Sequence, residues 1–283
     1  MYIGERVSPK REKVIAGGNF VNKDIIMVKA VFFDIDGTLV SFKTHEVPLS
    51  TVECLKALRS KGIKTFVSTG RMLGSINNLG DLQFDGYITL NGGYCYIGKE
   101  KVIYKHPIAQ EDILALHEYM GKHPFPCSFV TERGIFMNFT NEAADEVFAM
   151  LNFPKPPICS LEDLKDDTFY QLIAFFPSGR EQEIMALMPH CDATSWTPAF
   201  ADVVPKGSSK AIGMDKIIEY YGISLEETVA FGDGGNDIPM LSHAGIGVAM
   251  GNASDTVKQS ADFVTTSVDE DGIFNALKHL NVL

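Results

Sequence analysis

The run Val31-Phe32-Phe33-Asp34-Ile35-Asp36-Gly37-Thr38-Leu39 constrains this chain more than any other stretch. Its apolar half reads as a strand buried on both faces, as in a parallel sheet. It ends abruptly in two carboxylates, a glycine and a threonine. Carboxylates are expensive to desolvate, and in open parallel sheets the C-terminal strand ends form the ligand crevice. Alternation along an extended chain sends Asp34 and Asp36 the same way. One can then attack or ligate while the other handles a proton. Taken alone, the same letters also fit a strand followed by an Asp-Gly turn.

Further apolar runs give that strand its neighbours. Ser50-Thr51-Val52-Glu53 has the form of a capping box, followed by a helix with Val52, Leu55 and Leu58 on one face and Gly62 as its stop. A strand over 63–68 leads into Ser68-Thr69-Gly70-Arg71, a helix is expected over 71–79, and another strand over 87–90. This βαβαβ order implies a parallel sheet covered on both faces. After Asn91-Gly92-Gly93 the grammar changes to hairpins (94–105 and 127–140), each followed by a helix. Cys95 and Cys127 fall in equivalent places, a weak hint of internal duplication. From Ser208 the α/β alternation resumes, with helices over 209–221 and 237–243 and strands over 228–231 and 246–250.

The expected architecture is therefore α/β. A Rossmann-like parallel-sheet core domain (27–90 and 200–283) carries an inserted α+β cap domain (91–199). A length of 283 residues fits two domains. Residues 1–26, with five basic and three acidic side chains and a Gly17-Gly18 pair, lack the apolar core of a signal peptide. They are expected to be a poorly ordered extension, with Met27 as a candidate start.

The net charge of −11 argues against nucleic acid or an anionic membrane as partner. A small anion is not excluded, since it feels local charges and helix ends. Cys54, Cys95, Cys127, Cys159 and Cys191 form no C-x-x-C pair and read as buried free thiols of a cytoplasmic protein. The seven histidines show no zinc-binding spacing. No apolar run approaches the roughly 18 residues of a membrane span.

Four segments should meet at the sheet's C-terminal edge: Asp34–Thr38, Ser68–Arg71, Lys206–Lys210 and Gly232-Asp233-Gly234-Gly235-Asn236-Asp237. Singly, each has a plainer reading as a turn, a helix cap or a solvated lysine. In this order and spacing they resemble the signature of the haloacid dehalogenase superfamily of phosphohydrolases. The inserted domain narrows the resemblance to the type IIB-cap subgroup, and the pattern looks most like bacterial hexose-phosphate phosphatases. It covers Met27 to Leu283.

The resemblance implies that Asp34 attacks phosphorus to form an aspartyl phosphate. Asp36 would protonate the leaving alcohol and later activate water. Thr69 would hold the transferring group, and Lys210 would neutralise it. Mg2+ would be held by Asp34, the backbone carbonyl of Asp36 and Asp233, with Asp237 supporting the metal or orienting Lys210. Arg71 and Asn236 are candidates for phosphate or substrate contact. Asn91 and Gly92 at the hinge and Trp196 in the cap are candidates for substrate binding. Charge balance agrees: without a dication, the four acids exceed Lys210 and Arg71 by two charges. Crowding should raise one carboxyl pKa, and the expectation places it on Asp36.

The reading is thus a cytoplasmic Mg2+-dependent phosphatase of hexose or pentose phosphates, a monomer or weak homodimer. The alternatives are a phosphomutase and a phosphatase of a nucleotide or phosphorylated cofactor. A receiver-like regulatory phosphoprotein fits less well, because a second catalytic carboxylate would shorten its signal.

Overall fold

A computed structural model describes residues 27–150, 154–197 and 199–283, the side chains of 194–197 excepted. The expectations for residues 1–26 therefore lie outside the described residues. Along the chain run β1 (Ala30–Phe33), α1 (Leu49–Ser60), β2 (Lys64–Ser68), β3 (Gly86–Thr89), β4 (Tyr94–Ile97) and β5 (Lys101–Lys105). They are followed by α2 (Gln110–Lys122), β6 (Cys127–Thr131), β7 (Gly134–Met137), α3 (Glu142–Met150), β8 (Phe169–Ala174), α4 (Glu181–Met185), β9 (Cys191–Thr197) and β10 (Phe200–Pro205). The last stretch comprises α5 (Lys210–Tyr221), β11 (Thr228–Gly232), α6 (Ile238–His243), β12 (Ile246–Ala249), α7 (Asp255–Ser260), β13 (Phe263–Val264) and α8 (Gly272–His279).

The strands form two sheets, ordered β13-β12-β11-β1-β2-β3-β4-β5 and β7-β6-β8-β10-β9. In the first, every pair from β13 to β3 is parallel. Alternation gives it two buried faces. Val31, Phe33, Val67 and Phe231 pack with Leu55 and Leu58 of α1 and Ile273 and Leu277 of α8. Ala30, Phe32, Phe66 and Ala230 pack with Met214 and Ile217 of α5 and Met240 of α6. Rings stack across neighbouring strands, Phe32 on Phe66 at 4.8 Å and Phe33 on Phe231 at 5.3 Å. Each such side chain contributes roughly 1.5–3 kcal/mol by its burial.

Several expectations are corrected. The hairpin β4–β5, assigned to the insertion, is hydrogen-bonded to β3 and extends the first sheet, while β10 belongs to the second. The two hairpins that suggested duplication thus lie in different sheets. The helix expected over 71–79 is a single 3₁₀ turn, Leu73–Ser75, because Met72 and Ile76 are extended on either side. Gly74, Asn77 and Asn78 are weak helix formers, and Arg71 is drawn across to Asp36. The capping box at Ser50 does not form. The helix opens at Leu49 behind Pro48, and the Ser50 hydroxyl donates instead to Asp271 at 2.5 Å. As expected, the five cysteines are free thiols, Cys159 half-buried and the rest buried.

The second sheet is antiparallel throughout. One face packs Phe129, Leu172 and Val203 against Leu116 and Met120 of α2 and Ile184 of α4. It meets the first sheet at an aromatic contact, where Tyr94 lies edge-on to Tyr170 at 5.1 Å beside Leu90 and Val130. Above this contact Glu132 accepts hydrogen bonds from Lys105 at 2.5 Å and Tyr170 at 2.6 Å. The two chain crossings between the sheets are paired by His106 and Ser208, 2.9 Å apart. No helix among the described residues is long and apolar enough to cross a membrane.

One polar pair is set into the second sheet. Gln171 on β8 is buried and donates to Asp202 on β10 at 2.8 Å. Burial pushes the Asp202 carboxyl up to about 6, although the Gln171 hydrogen bond opposes the shift. Because the folded pKa exceeds the unfolded one, the native state holds the extra proton between about pH 4 and 6. The folded protein therefore loses stability as pH rises through that window. Asp202→Asn removes the buried charge. Its stability at pH 8 should exceed that of the parent by on the order of 2 kcal/mol, with the gap closing below pH 4. Urea denaturation at the two pH values measures this, and a pH-independent difference would contradict it.

Candidate active site

The C-terminal ends of β1, β2, β3 and β11 converge, as parallel pairing in register requires. They bring together Asp34 and Asp36 after β1, Thr69 and Arg71 after β2, Asn91 and Gly92 after β3, and Asp233, Asn236 and Asp237 after β11. Lys210 enters from the first residue of α5. Trp196 lies in β9, and its side chain is outside the described residues.

The approach of α5 depends on the turn after β3. Leu90, Asn91 and Gly92 have φ of 51°, 52° and 93°, three consecutive residues in the left-handed region. For a bulky leucine this conformation is strained by about 1–3 kcal/mol. At Gly92 a Cβ would lie 2.0 Å from the Ser209 carbonyl oxygen, so only glycine lets the start of α5 come this close. Ser209 caps the helix by accepting the Ile212 N–H. Asn91 is buried and accepts a hydrogen bond from Asn236 at 3.0 Å, tying the β3 turn to the β11 loop.

Lys210 is fully buried, and its Nζ lies 2.5 Å from Asp34 Oδ1 and 2.5 Å from Asp237 Oδ1. The other oxygen of Asp237 accepts the backbone N–H groups of Asp233 and Gly234 at 3.0 and 2.9 Å. Both Asp237 oxygens are thus engaged inside the protein, an arrangement suited to orienting Lys210. Asp34, Asp233 and Asp237 place one carboxylate oxygen each within 4.8 Å of one another. Such a cluster of hard oxygens is compatible with a divalent cation like Mg2+. Asp36 stands apart. Its carboxylate receives Arg71 Nε at 2.8 Å and Nη2 at 2.7 Å, and Asn78 at 3.3 Å. Arg71, expected as a phosphate contact, is here the partner of Asp36.

Electrostatics follow from this crowding. Burial, then the nearby Asp237 and Asp233, raise the Asp34 carboxyl well above the usual range, although Lys210 opposes them. Burial and Asp237 push Asp233 up to about 7 against the Thr38 hydrogen bond and Lys210. For Lys210, burial favours the neutral amine, but Asp237 and Asp34 more than offset it and the net shift is upward. Both raised carboxyls, Asp34 and Asp233, belong to the cluster beside Lys210.

Two contributors escaped the sequence reading. Thr38, fully buried, donates to Asp233 Oδ1 at 2.8 Å. Asn252, two residues beyond Met250, reaches Asp233 Oδ2 at 3.1 Å. Thr38 stood inside the opening motif, and Gly251-Asn252 follows another parallel strand, so the strand-end rule could have found both.

Lys210 should be tested as a buried ion. Lys210→Met leaves two carboxylates facing each other without a cation, which should cost about 3–5 kcal/mol in urea denaturation in the presence of EDTA. Adding Asp237→Asn should recover part of that loss. A double variant no more stable than the single one would show that the pairing does not set the energetics.

Proteins of known structure resemble this chain over its whole fold. The haloacid dehalogenase subclass IIB sugar phosphatase BT4131 is 48% identical with a TM-score of 0.83, over 90% of this chain and 100% of that one. BT1666 from Bacteroides thetaiotaomicron, a phosphatase of the haloalkanoate superfamily, is 38% identical with a TM-score of 0.84, over 94% and 100%. The 5-amino-6-(5-phospho-D-ribitylamino)uracil phosphatase YcsE of Bacillus subtilis is 30% identical over 268 residues, 92% of this chain and 98% of YcsE. The pattern of haloacid dehalogenase-like hydrolases runs through residues 31–277, from the strand leading to Asp34 to the last helix, and the chain belongs to that family as a phosphoric monoester hydrolase.

Proposed function

We propose that this chain is a Mg2+-dependent phosphatase of small sugar phosphates, hexose or pentose, acting through an aspartyl phosphate on Asp34. The observation that carries the reading is the buried Lys210 gripping one oxygen of Asp34, with Asp233 and Asp237 beside it. The similarity to a sugar phosphatase and to a phosphatase of a phosphoribityl compound supports the substrate class.

Asp34 and Asp233 would hold the metal, with the Asp36 carbonyl as third protein ligand. When bound, the ion supplies two positive charges that neutralise the carboxylates and the phosphate together. Lys210 fixes Asp34 through Oδ1, leaving Oδ2 to attack phosphorus as the bond to the sugar oxygen breaks. Asp36 gives its proton to that departing oxygen. It then takes a proton from the water that attacks the aspartyl phosphate, releasing inorganic phosphate and restoring Asp34. Thr69 Oγ1 accepts the Arg71 N–H at 3.1 Å and keeps its own proton for a phosphoryl oxygen. The Arg71 fork that holds Asp36 also matches a phosphate, so an arriving phosphate competes for it and frees Asp36 for proton transfer. Asn236 and Asn91 border the same crevice.

Release of phosphate from glucose 6-phosphate, without a bisphosphate activator, tests the reaction and separates hydrolysis from mutase chemistry. EDTA should abolish turnover and Mg2+ restore it. Asp34→Asn should lower kcat by more than about 10³-fold, and Asp36→Asn by about 10²–10⁴-fold. Equal phosphate release by the parent and both variants would overturn the mechanism.

A further inference from the structure

Asp233 is held from both sides by neutral donors. Thr38 Oγ1 donates to Oδ1 at 2.8 Å, and Asn252 Nδ2 donates to Oδ2 at 3.1 Å. Thr38 belongs to the same short motif as Asp34, whereas Asn252 arrives on a different loop, beyond β12. The same Asn252 Nδ2 donates to the Gly37 carbonyl at 2.9 Å. Its Oδ1 accepts the backbone N–H of Val268 at 3.0 Å. That N–H can meet only an acceptor, so it fixes which end of the amide is oxygen and turns the NH2 toward Asp233. Val268 is buried in the core beneath, so the amide is anchored to packed structure.

The two groups that Asn252 holds are in contact. Gly37 has φ of 89°, and a Cβ there would lie 2.2 Å from Asp233 Oδ2. The turn after Asp36 and the Asp233 carboxylate can therefore sit together only in a narrow range of positions. A single amide donating to both sets their separation. Metal ligands whose other lone pairs are hydrogen-bonded are pre-oriented, and losing such a partner typically lowers metal affinity by about 10–100-fold.

We propose that Asn252 is a positioning residue for the divalent-cation site, setting Asp233 and the turn at Gly37 in register for metal binding. The inference rests on the metal reading given under Proposed function. It assigns Asn252 no contact with substrate and no proton transfer.

The test needs a control that disturbs the segment around Val268, to which Asn252 is anchored, without touching Asp233. Asn275 provides it, because its Nδ2 donates to Thr266 Oγ1 and the Glu270 carbonyl, both at 2.9 Å. Mn2+ binding to the full chain, followed by the electron paramagnetic resonance signal of the free ion, gives a readout independent of turnover. Asn252→Ala should raise the Mn2+ Kd about tenfold, while Asn275→Ala stays within about twofold of the parent. In turnover, Asn252→Ala should need correspondingly more Mg2+ for half-activation, with kcat at saturating Mg2+ largely retained. An unchanged Mn2+ Kd in Asn252→Ala overturns the proposal, as does equal weakening in both variants, which would assign the effect to the segment around Val268. A parent protein that binds no Mn2+ removes the metal reading itself, a distinct failure.

Discussion

A buried ammonium is tolerated only where carboxylates take the place of its water, and Lys210 lies 2.5 Å from both Asp34 and Asp237. Much of the surrounding backbone serves that contact. Lys210 opens α5, so its reach depends on how closely the start of that helix approaches the sheet. Gly92 permits the approach by having no Cβ, and the left-handed Leu90–Gly92 turn carries the strain. Asp237 is in turn fixed by the N–H groups of Asp233 and Gly234, so the acids and the lysine are ordered as one unit. Removing any member leaves the others wrongly charged or wrongly placed, because an uncompensated charge cannot be hydrated there.

Most of the architecture was readable because its signals are local. Continuous apolar runs marked β1, β2 and β11, and the first sheet's parallel order followed from the helices between them. Asp34, Lys210, Asp233 and Asp237 were legible because each follows or opens a regular element at a recognisable junction. What failed depends on distant partners. Nothing near Arg71 says that its guanidinium will pair with Asp36, and that pairing is part of why 71–79 is not a helix. The hairpin 94–105 looks like the one at 127–137, and only its pairing with β3 places it in the first sheet. A lone Gly-Asn after β12 carried too little information by itself to mark Asn252.

The raised carboxyl pKa values belong to the same physics. Asp34 and Asp233 are both pushed up by burial and by the neighbouring Asp237, and a protonated carboxyl is neither a nucleophile nor a good ligand. In the proposed reaction, a divalent cation held by Asp34 and Asp233 would favour their ionised forms, so neutralising the phosphate and preparing Asp34 would go together. In that reaction Asp36 would need the opposite treatment, since it would hold a proton at one step and surrender it at another. The fold separates the two demands in space. The cluster around Lys210 is buried, while Asp36 is about one-third exposed and paired with an Arg71 that is itself partly open to solvent. A partly solvated pair can exchange partners quickly and at little energetic cost, which the buried unit around Lys210 cannot. In the proposed reaction the proton carrier would thereby be mobile and the nucleophile fixed, a division of labour that would follow from how deep each carboxylate lies at the end of one strand.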